Sequence, residues 1–532
     1  MDHGEARMTT KILGCALGCL LLSAACGDVT ASPDAGPDSS DGAPSDIDAS
    51  TPADATAEGD AGDDCDGDTG PECACVIFVD GADGSDEADG SAWTEAVATV
   101  QAGIDLAREE VASDDVEDCE VWVRAGVYVP GDDRRDAIRL AANVHLYGGF
   151  TGDEQARKER DWEANETVLS GDLNGDDDPE DPDTRSDNSY TVVIGFDDAT
   201  LDGFTITGGN ADGDAAALRN GGGLFNEAAS PLIRNTTFIA NSAHEGGGVY
   251  NEQGSAPSFE SVRFENNTAE SSGGGLYSTQ FLPSDRVVSL SEVEFYGNEA
   301  GSTGGGLFAA GLLRYEVRRA DFRANRAGFR GGAVSSTATL DVVDAIFRSN
   351  VAENEGGGGG GAIDLGGEAT LTNVELAENS TAARGGAIRT TGNLLVRNAT
   401  IVANEAEQGG AIYKTLSDAE LEVYNSILWS NSASEGSQVD VGTGSGIDFF
   451  HSIVEGGEPA RAATWQQSSG ADPRFLEIPR NLELRSDSPA IDSGTSDIPD
   501  LPETDLNGNP RIVAGPDAEE PEIDLGPYEY QP

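Results

Sequence analysis

One phrase recurs along this chain: an apolar residue, two variable residues and Asn, followed by a Gly-Gly pair that leads into Leu, Val, Ala or Ile. It reads TTFIANSA…GGGVY, VRFENNTA…GGGLY, VEFYGNEA…GGGLF, ADFRANRA…GGAV, AIFRSNVA…GGAI, VELAENST…GGAI and ATIVANEA…GGAI. The asparagines fall at Asn210, Asn241, Asn267, Asn298, Asn325, Asn350, Asn379, Asn404 and Asn431, in steps of 25 to 31 residues. A unit of this length that alternates apolar and polar positions, with no helical stretch, cannot bury its own inner face and has to stack on its neighbours.

Inside each unit the pattern alternates, with Val293 in, Glu294 out, Phe295 in and Tyr296 out, which is the period of a strand with one face in a core. The glycine pairs suit backbone at positive φ, or backbone passing close to the coil beneath. Asn also tolerates the left-handed conformation and can bond the turn itself. Repeated every coil, the nine asparagines from Asn210 to Asn431, with Asn241, Asn267, Asn298, Asn325, Asn350, Asn379 and Asn404 between them, would form a side-chain ladder, with Phe264, Phe295, Phe322 and Phe347 piled in an inward column. The stacked product is a parallel β-helix. Leucine-rich repeats need a Leu-x-x-Leu-x-Leu frame and helices, propeller blades need a longer period, and tandem calcium nonapeptides are approached only by GGGGGGAID at Gly356 to Asp364.

The FIAN, FENN, FYGN, FRAN and FRSN motifs, with GGAV and three copies of GGAI, resemble the repeats of the chlamydial polymorphic outer membrane proteins. LAEN, IVAN and LWSN depart by replacing Phe, and the resemblance spans about Gly203 to Ala433. In that family a C-terminal membrane barrel carries the β-helix to the surface; here no set of long amphipathic strands follows the repeats. The flanks, VIFVDGADGS…VWVRAGVYVP, HLYGGFTGDE…LSGDLNG and DPRFLE…IDLGPYEY, resemble secreted bacterial proteins with a pectin-lyase-like fold. Together these predict an all-β chain, a single-stranded right-handed parallel β-helix of about twelve coils with an N-terminal helix cap. At strand spacing such a rod is roughly 60 Å long.

Five segments follow. Residues 1–25 read as a lipoprotein signal peptide: Arg7 and Lys11 precede the apolar run Ile12 to Ala25, which is too short to span a bilayer. LLSAAC resembles a lipobox with Ser23 in place of the usual Leu, which predicts lipidation at Cys26; ordinary cleavage to a soluble secreted protein is the alternative. Residues 26–74 form an acidic tether with no Lys or Arg, too poor in apolar surface to offset its ordering entropy. Its random-coil reach is roughly 35 to 40 Å. Residues 75–130 form an N-terminal cap with one helix over Trp93 to Glu110, residues 131–470 the β-helix, and residues 471–532, rich in Pro and turn signals, C-terminal coils covering the last coil.

Once the signal and Cys26 are set aside, four cysteines remain, an even number suited to an oxidising compartment. Cys75 leads the strand VIFVD and Cys119 the strand EVWV, so parallel pairing places them side by side and leaves Cys65 with Cys73. Their spacing does not suit zinc knuckles. The formal charge of −66, with lysine only at Lys11, Lys158 and Lys414, excludes most nucleic-acid roles, since a phosphate backbone needs a basic stripe.

A catalytic site on a β-helix has to come from outward residues of successive coils. One such column runs Thr237, Arg263, Glu294, Asp321, Ile346, Glu375, Thr400, Ile427; its neighbour runs Ile239, Glu265, Tyr296, Arg323, Arg348, Ala377, Val402, Trp429. Glu265, Glu294 and Asp321 with Arg323 and Arg348 form the catalytic candidate, acid and base on a glycoside or a calcium-assisted lyase; mixed charges serving solubility and register are the competing account. Tyr296 and Trp429 are the candidate exposed aromatics of a binding face. DLNGDDD sets Asp172, Asn174, Asp176 and Asp178 at alternate positions like the start of a calcium loop, although Asp177 stands where Gly is expected and no Glu stands at the twelfth position. Calcium is thus the one cofactor suggested. The expected function is a lipid-anchored, monomeric cell-envelope β-helix exposed at the surface for adhesion or polysaccharide contact, without catalysis. Its expected partners are the membrane, through the N-terminal lipid, and polysaccharide or another cell surface; the alternative is a polysaccharide lyase or glycoside hydrolase.

Overall fold

The computed structural model describes residues 75–532, apart from short stretches at 114–115, 179–180, 216–217, 282–284, 354–355, 416–417, 443–445, 499–500 and 517–520. Cys26, Cys65, Cys73 and the 1–25 segment lie outside the described residues. The chain winds into a parallel β-solenoid of about 12 turns. Its strands fall into a long sheet of 23 strands, a sheet of 9 very short strands and a third sheet of 11.

One coil shows the construction. Strand Val287–Ser291 bends at Glu292, strand Glu294–Tyr296 completes the long sheet, and Glu299–Ala300 belongs to the short sheet. The backbone then turns through Gly304, Gly305 and Gly306 into Leu307–Gly311 of the third sheet. Inward residues Val288, Leu290, Val293, Phe295, Leu307 and Ala309 are all buried, and register aligns all but Val293 with their counterparts in the next coil. Phe238, Phe264, Phe295, Phe322 and Phe347 stack with centroids 4.5 to 5.4 Å apart and rings within 10° of parallel. Burying each such side chain contributes about 1.5–3 kcal/mol.

The ladder asparagines are buried and fully bonded. Asn325 Oδ1 accepts from both the backbone N (3.1 Å) and Nδ2 (3.0 Å) of Asn298, while Asn325 Nδ2 donates to Phe295 O (2.8 Å) and Asn350 Oδ1 (3.0 Å). The same pattern runs from Asn241 to Asn431. Two details differ from the sequence reading. Asn210 is not a rung: Gly209 N donates to Asn241 Oδ1, and Asn210 lies one residue later, paired with Ser242 in the short sheet. Nor do the ladder asparagines adopt the left-handed conformation; the preceding residues do, Ala240, Asn266, Gly297, Ala324, Ser349, Glu378, Ala403 and Ser430, at φ of 52° to 65°. A rung must aim its amide into the core along the rod axis, so the corner falls on its neighbour.

The glycine corners divide their labour. Gly304 takes positive φ, whereas a Cβ on Gly305 would lie 2.3 Å from Gly332 O, so the next coil excludes any side chain there.

At the N-terminal end the helix spans Val100–Ala112, shorter at its start than Trp93 to Glu110. Trp93–Glu95 is a 3-10 turn, and Val97 instead pairs with Val79: Asp80 N donates to Val97 O at 2.9 Å and Val97 N to Phe78 O at 3.0 Å. The first coil's open edge thus claims the backbone groups that a longer helix needs. Thr99 then caps the helix, its Oγ1 accepting from Ala102 N at 3.2 Å, and Val100, Ile104 and Ala107 join the core beside Val79 and Val121. Cys75 and Cys119 are disulfide-bonded, with Cα atoms 4.8 Å apart, directly preceding the Val76 to Glu120 register.

Candidate functional site

The outward face of the long sheet is covered at both ends and open in the middle. At the N-terminal end, Trp122 and Phe150 stack at 4.8 Å with Phe78 and Trp93 against them. Arg157, from the loop after Phe150, reaches in to buried Glu120 (Nη1 to Oε1, 2.7 Å) and donates to Tyr147 OH at 2.8 Å. Trp122 Nε1 donates to the other Glu120 oxygen at 2.5 Å. Burial pushes the Glu120 carboxyl up, against the pull of Arg157.

At the C-terminal end the segment 471–532 does something the sequence did not foretell. Its contacts are lateral: instead of lying across the last coil, it runs back along the outside of the long sheet. Phe475, Leu482, Leu484, Ala490 and Leu525 bury outward-facing Ala377, Val402, Ile427 and Ile453. Thr495 N donates to Asn425 Oδ1 and Asn425 Nδ2 donates to Thr495 O, both at 2.9 Å, and Asn373 Nδ2 reaches Thr504 O at 3.5 Å. Tyr528 OH donates to Glu375 Oε2 at 2.6 Å, and the other Glu375 oxygen pairs with Arg348, whose Nη2 also reaches Pro479 O at 3.4 Å. The outer columns were apolar at Ala377, Val402 and Ile427 because this segment sits on them.

The open window carries the remaining candidates. Register places Arg263, Glu294 and Asp321 in one row and Glu265, Tyr296 and Arg323 in the next. Arg263 pairs with Glu265 (2.8 Å) and Glu294 (3.4 Å), and Arg323 grips Asp321 with two nitrogens at 2.6 and 2.7 Å. That grip holds the Arg323 guanidinium above its ordinary pKa. Of the five proposed catalytic residues, four therefore share the window; Arg348 does not, being committed to Glu375 beneath the C-terminal segment. Tyr296 is 44% exposed, while Trp429 is half-buried against the C-terminal segment and is no part of an open aromatic face. Glu375 and Tyr528 were missed as partners, since their contact joins positions 153 residues apart.

The acidic loop also rearranges the metal reading. Asp172, Asp176 and Asp177 bring carboxylate oxygens within 4.8 Å of one another, so Asp177 takes the place expected of Asp178. The Asp172 carboxylate accepts from the backbone N of Gly175 (2.7 Å), Asp176 (3.2 Å) and Asp177 (3.2 Å), which folds the loop about itself. Asp177 Oδ2 accepts from Asn188 Nδ2 at 2.9 Å and faces Arg185 at 3.8 Å; burial pushes its pKa up. Calcium takes six to eight oxygens; the loop gathers three carboxylates, of which Asp172 also accepts from backbone donors and Asp177 from Asn188.

Among known proteins, the Chlamydia polymorphic membrane protein repeat matches residues 261–279. No curated protein matches the chain. The crystal structure of the pectate lyase Pel9A aligns over 88% of this chain and 100% of its own, at 12% identity and a TM-score of 0.42. The matched stretch 261–279 contains Phe264, Asn267 and the glycines that begin the next corner, the features that stack the coils. The chain is a parallel β-helix in which residues 261–279 match the Chlamydia polymorphic membrane protein repeat.

Proposed function

We propose that this protein is a surface-exposed element of the cell envelope, held to the membrane by lipid on Cys26 through the acidic 26–74 tether, and that its β-helix contacts polysaccharide or another cell surface without catalysis. The match of its repeat to a membrane-protein repeat supports a surface location. The observation that carries the non-catalytic reading is the pairing in the open window: Arg263 with Glu265 and Glu294, and Arg323 with Asp321. A glycosidase needs one carboxylate set apart as acid and a second as base or nucleophile; here each of the three is held by a guanidinium. A lyase or hydrolase is the second reading, favoured by Glu294 and Asp321 lying directly opposite on adjacent strands.

The test incubates the full-length protein with acidic and neutral polysaccharides, following unsaturated products by ultraviolet absorbance, new reducing ends, and co-sedimentation. Retention without turnover is expected. Turnover that disappears in Glu294→Gln or Asp321→Asn would establish the enzyme instead.

A further inference from the structure

The third sheet carries its own outward row, which register sets out as Arg139, Ile194, Phe225, Tyr250, Tyr277 and Phe308. From Phe225 to Phe308 the rings stack at 4.9 to 5.4 Å on the outward side of the third sheet, Phe225 and Tyr250 buried and Tyr277 and Phe308 half-buried. At the N-terminal end of this stack lies a cavity of about 550 Å³. Its walls bring together Arg108, Arg134, Arg135 and Arg139, in a chain whose 97 acidic residues outnumber its 31 basic ones threefold.

The four guanidiniums are not equally engaged. Arg134 is committed, bonding Asp212 at 2.7 Å and Asn188 O at 2.7 Å and lying 4.2 Å over the Tyr190 ring, which makes it a fixed wall. Arg135 is 70% exposed and only 3.8 Å from Asp133, and Arg108 is held loosely by Asp105 at 3.3 Å on the same helix. Arg139 is exposed and has no ion-pair partner among the described residues. Ile194, Leu140 and Phe225 line the floor and Phe196, half-exposed, stands in the wall, while Glu227 offers an acceptor already oriented by Gln253 at 2.6 Å. Cationic forks over an apolar floor, with one acceptor for a hydroxyl, are the groups that recognise an acid-bearing sugar ring.

The charge around the cavity narrows the ligand further. A chain with an anion on every unit would leave the cavity and run onto a repulsive surface, whereas one with spaced anions sets fewer charges against that surface. We propose that this cavity binds an acidic sugar residue of a polysaccharide whose charges are spaced along the chain, its carboxylate or sulfate held by Arg135 and Arg139 and its ring lying against Phe196. The inference rests on the polysaccharide-contact reading and gives that reading a site away from the long sheet.

The test is calorimetric titration of the full-length protein with hyaluronan (carboxylate on alternate residues), κ-carrageenan (sulfate on alternate residues), polygalacturonate (carboxylate on every residue) and neutral dextran. Wild type is expected to bind one or both of the first two, more tightly than polygalacturonate, with affinity falling as salt rises; the hyaluronan and κ-carrageenan arms separate carboxylate from sulfate recognition. Arg139→Glu should weaken binding at least tenfold and Phe196→Ala severalfold, with unchanged circular dichroism, while Arg263→Glu on the long sheet leaves it intact. Binding that survives Arg139→Glu and Phe196→Ala but is lost in Arg263→Glu would overturn this site and leave the polysaccharide reading standing. Wild type that binds none of the glycans would overturn both.

Discussion

Removing the Asn325 side chain isolates what the asparagine ladder contributes. Asn325 is fully buried, and in Asn325→Ala the Asn298 backbone N–H and one Asn298 amide hydrogen lose their acceptor at the rod's centre. Asn350 Oδ1 still accepts from residue 325's own N–H at 3.0 Å, and Asn298 Nδ2 keeps Phe264 O at 2.8 Å, so two donors are orphaned and no more. At ~1–3 kcal/mol for each unsatisfied buried donor, the expected loss is about 2–6 kcal/mol. Asn210→Ala is the matched control: Asn210 is half-buried, and its Nδ2 bond to Arg185 O at 2.9 Å can be replaced by water, so less than about 1 kcal/mol should be lost. Urea unfolding followed by circular dichroism measures both, with hydrogen exchange at the 298 and 325 amides reporting whether the opening is local, because stacked coils need not unfold in one step. Equal effects at the two positions, or a loss under about 1 kcal/mol at Asn325, would refute the ladder argument.

The C-terminal segment should be pH-sensitive. Burial pushes Glu529 up to about 8 and Asp524 up to about 6, so the docked segment holds protons that a released one gives up. Docking is then strongest below the ordinary carboxylate range near 4.5 and weakens as pH rises through 8, which limited proteolysis at pH 6 and pH 9 will detect and Glu529→Gln should largely abolish. Reduction of Cys75–Cys119, which are 44 residues apart, should cost about 4 kcal/mol by loop entropy and appear in hydrogen exchange as faster opening of Val100–Ala112. Exchange that accelerates equally in the coils around Phe322 would argue against a local clamp.

The coil was written in the sequence because it repeats: period-two alternation sets which side of each strand faces inward, and near-equal spacing sets which residues meet one coil apart. Arg263, Glu294 and Asp321 share a row for that reason. The same local rules misplace what is not periodic. Asn210 reads as a rung from spacing alone, yet a one-residue offset gives that place to Gly209. The helix reads as starting at Trp93, yet Val97 is taken by the sheet edge.

What tertiary structure alone decided is which outward rows stay open. The segment 471–532 has no repeat to phase it, and its bonds to Asn425, Glu375 and Arg348 span 70, 153 and 131 residues. The arginines at positions 108, 134, 135 and 139 converge only because the N-terminal helix and the first coils of the third sheet lie side by side. A repeating pattern dictates contacts at the distance of its own period; contacts between parts that share no period depend on how the whole surface matches in shape and charge, and that is determined only once the chain has folded.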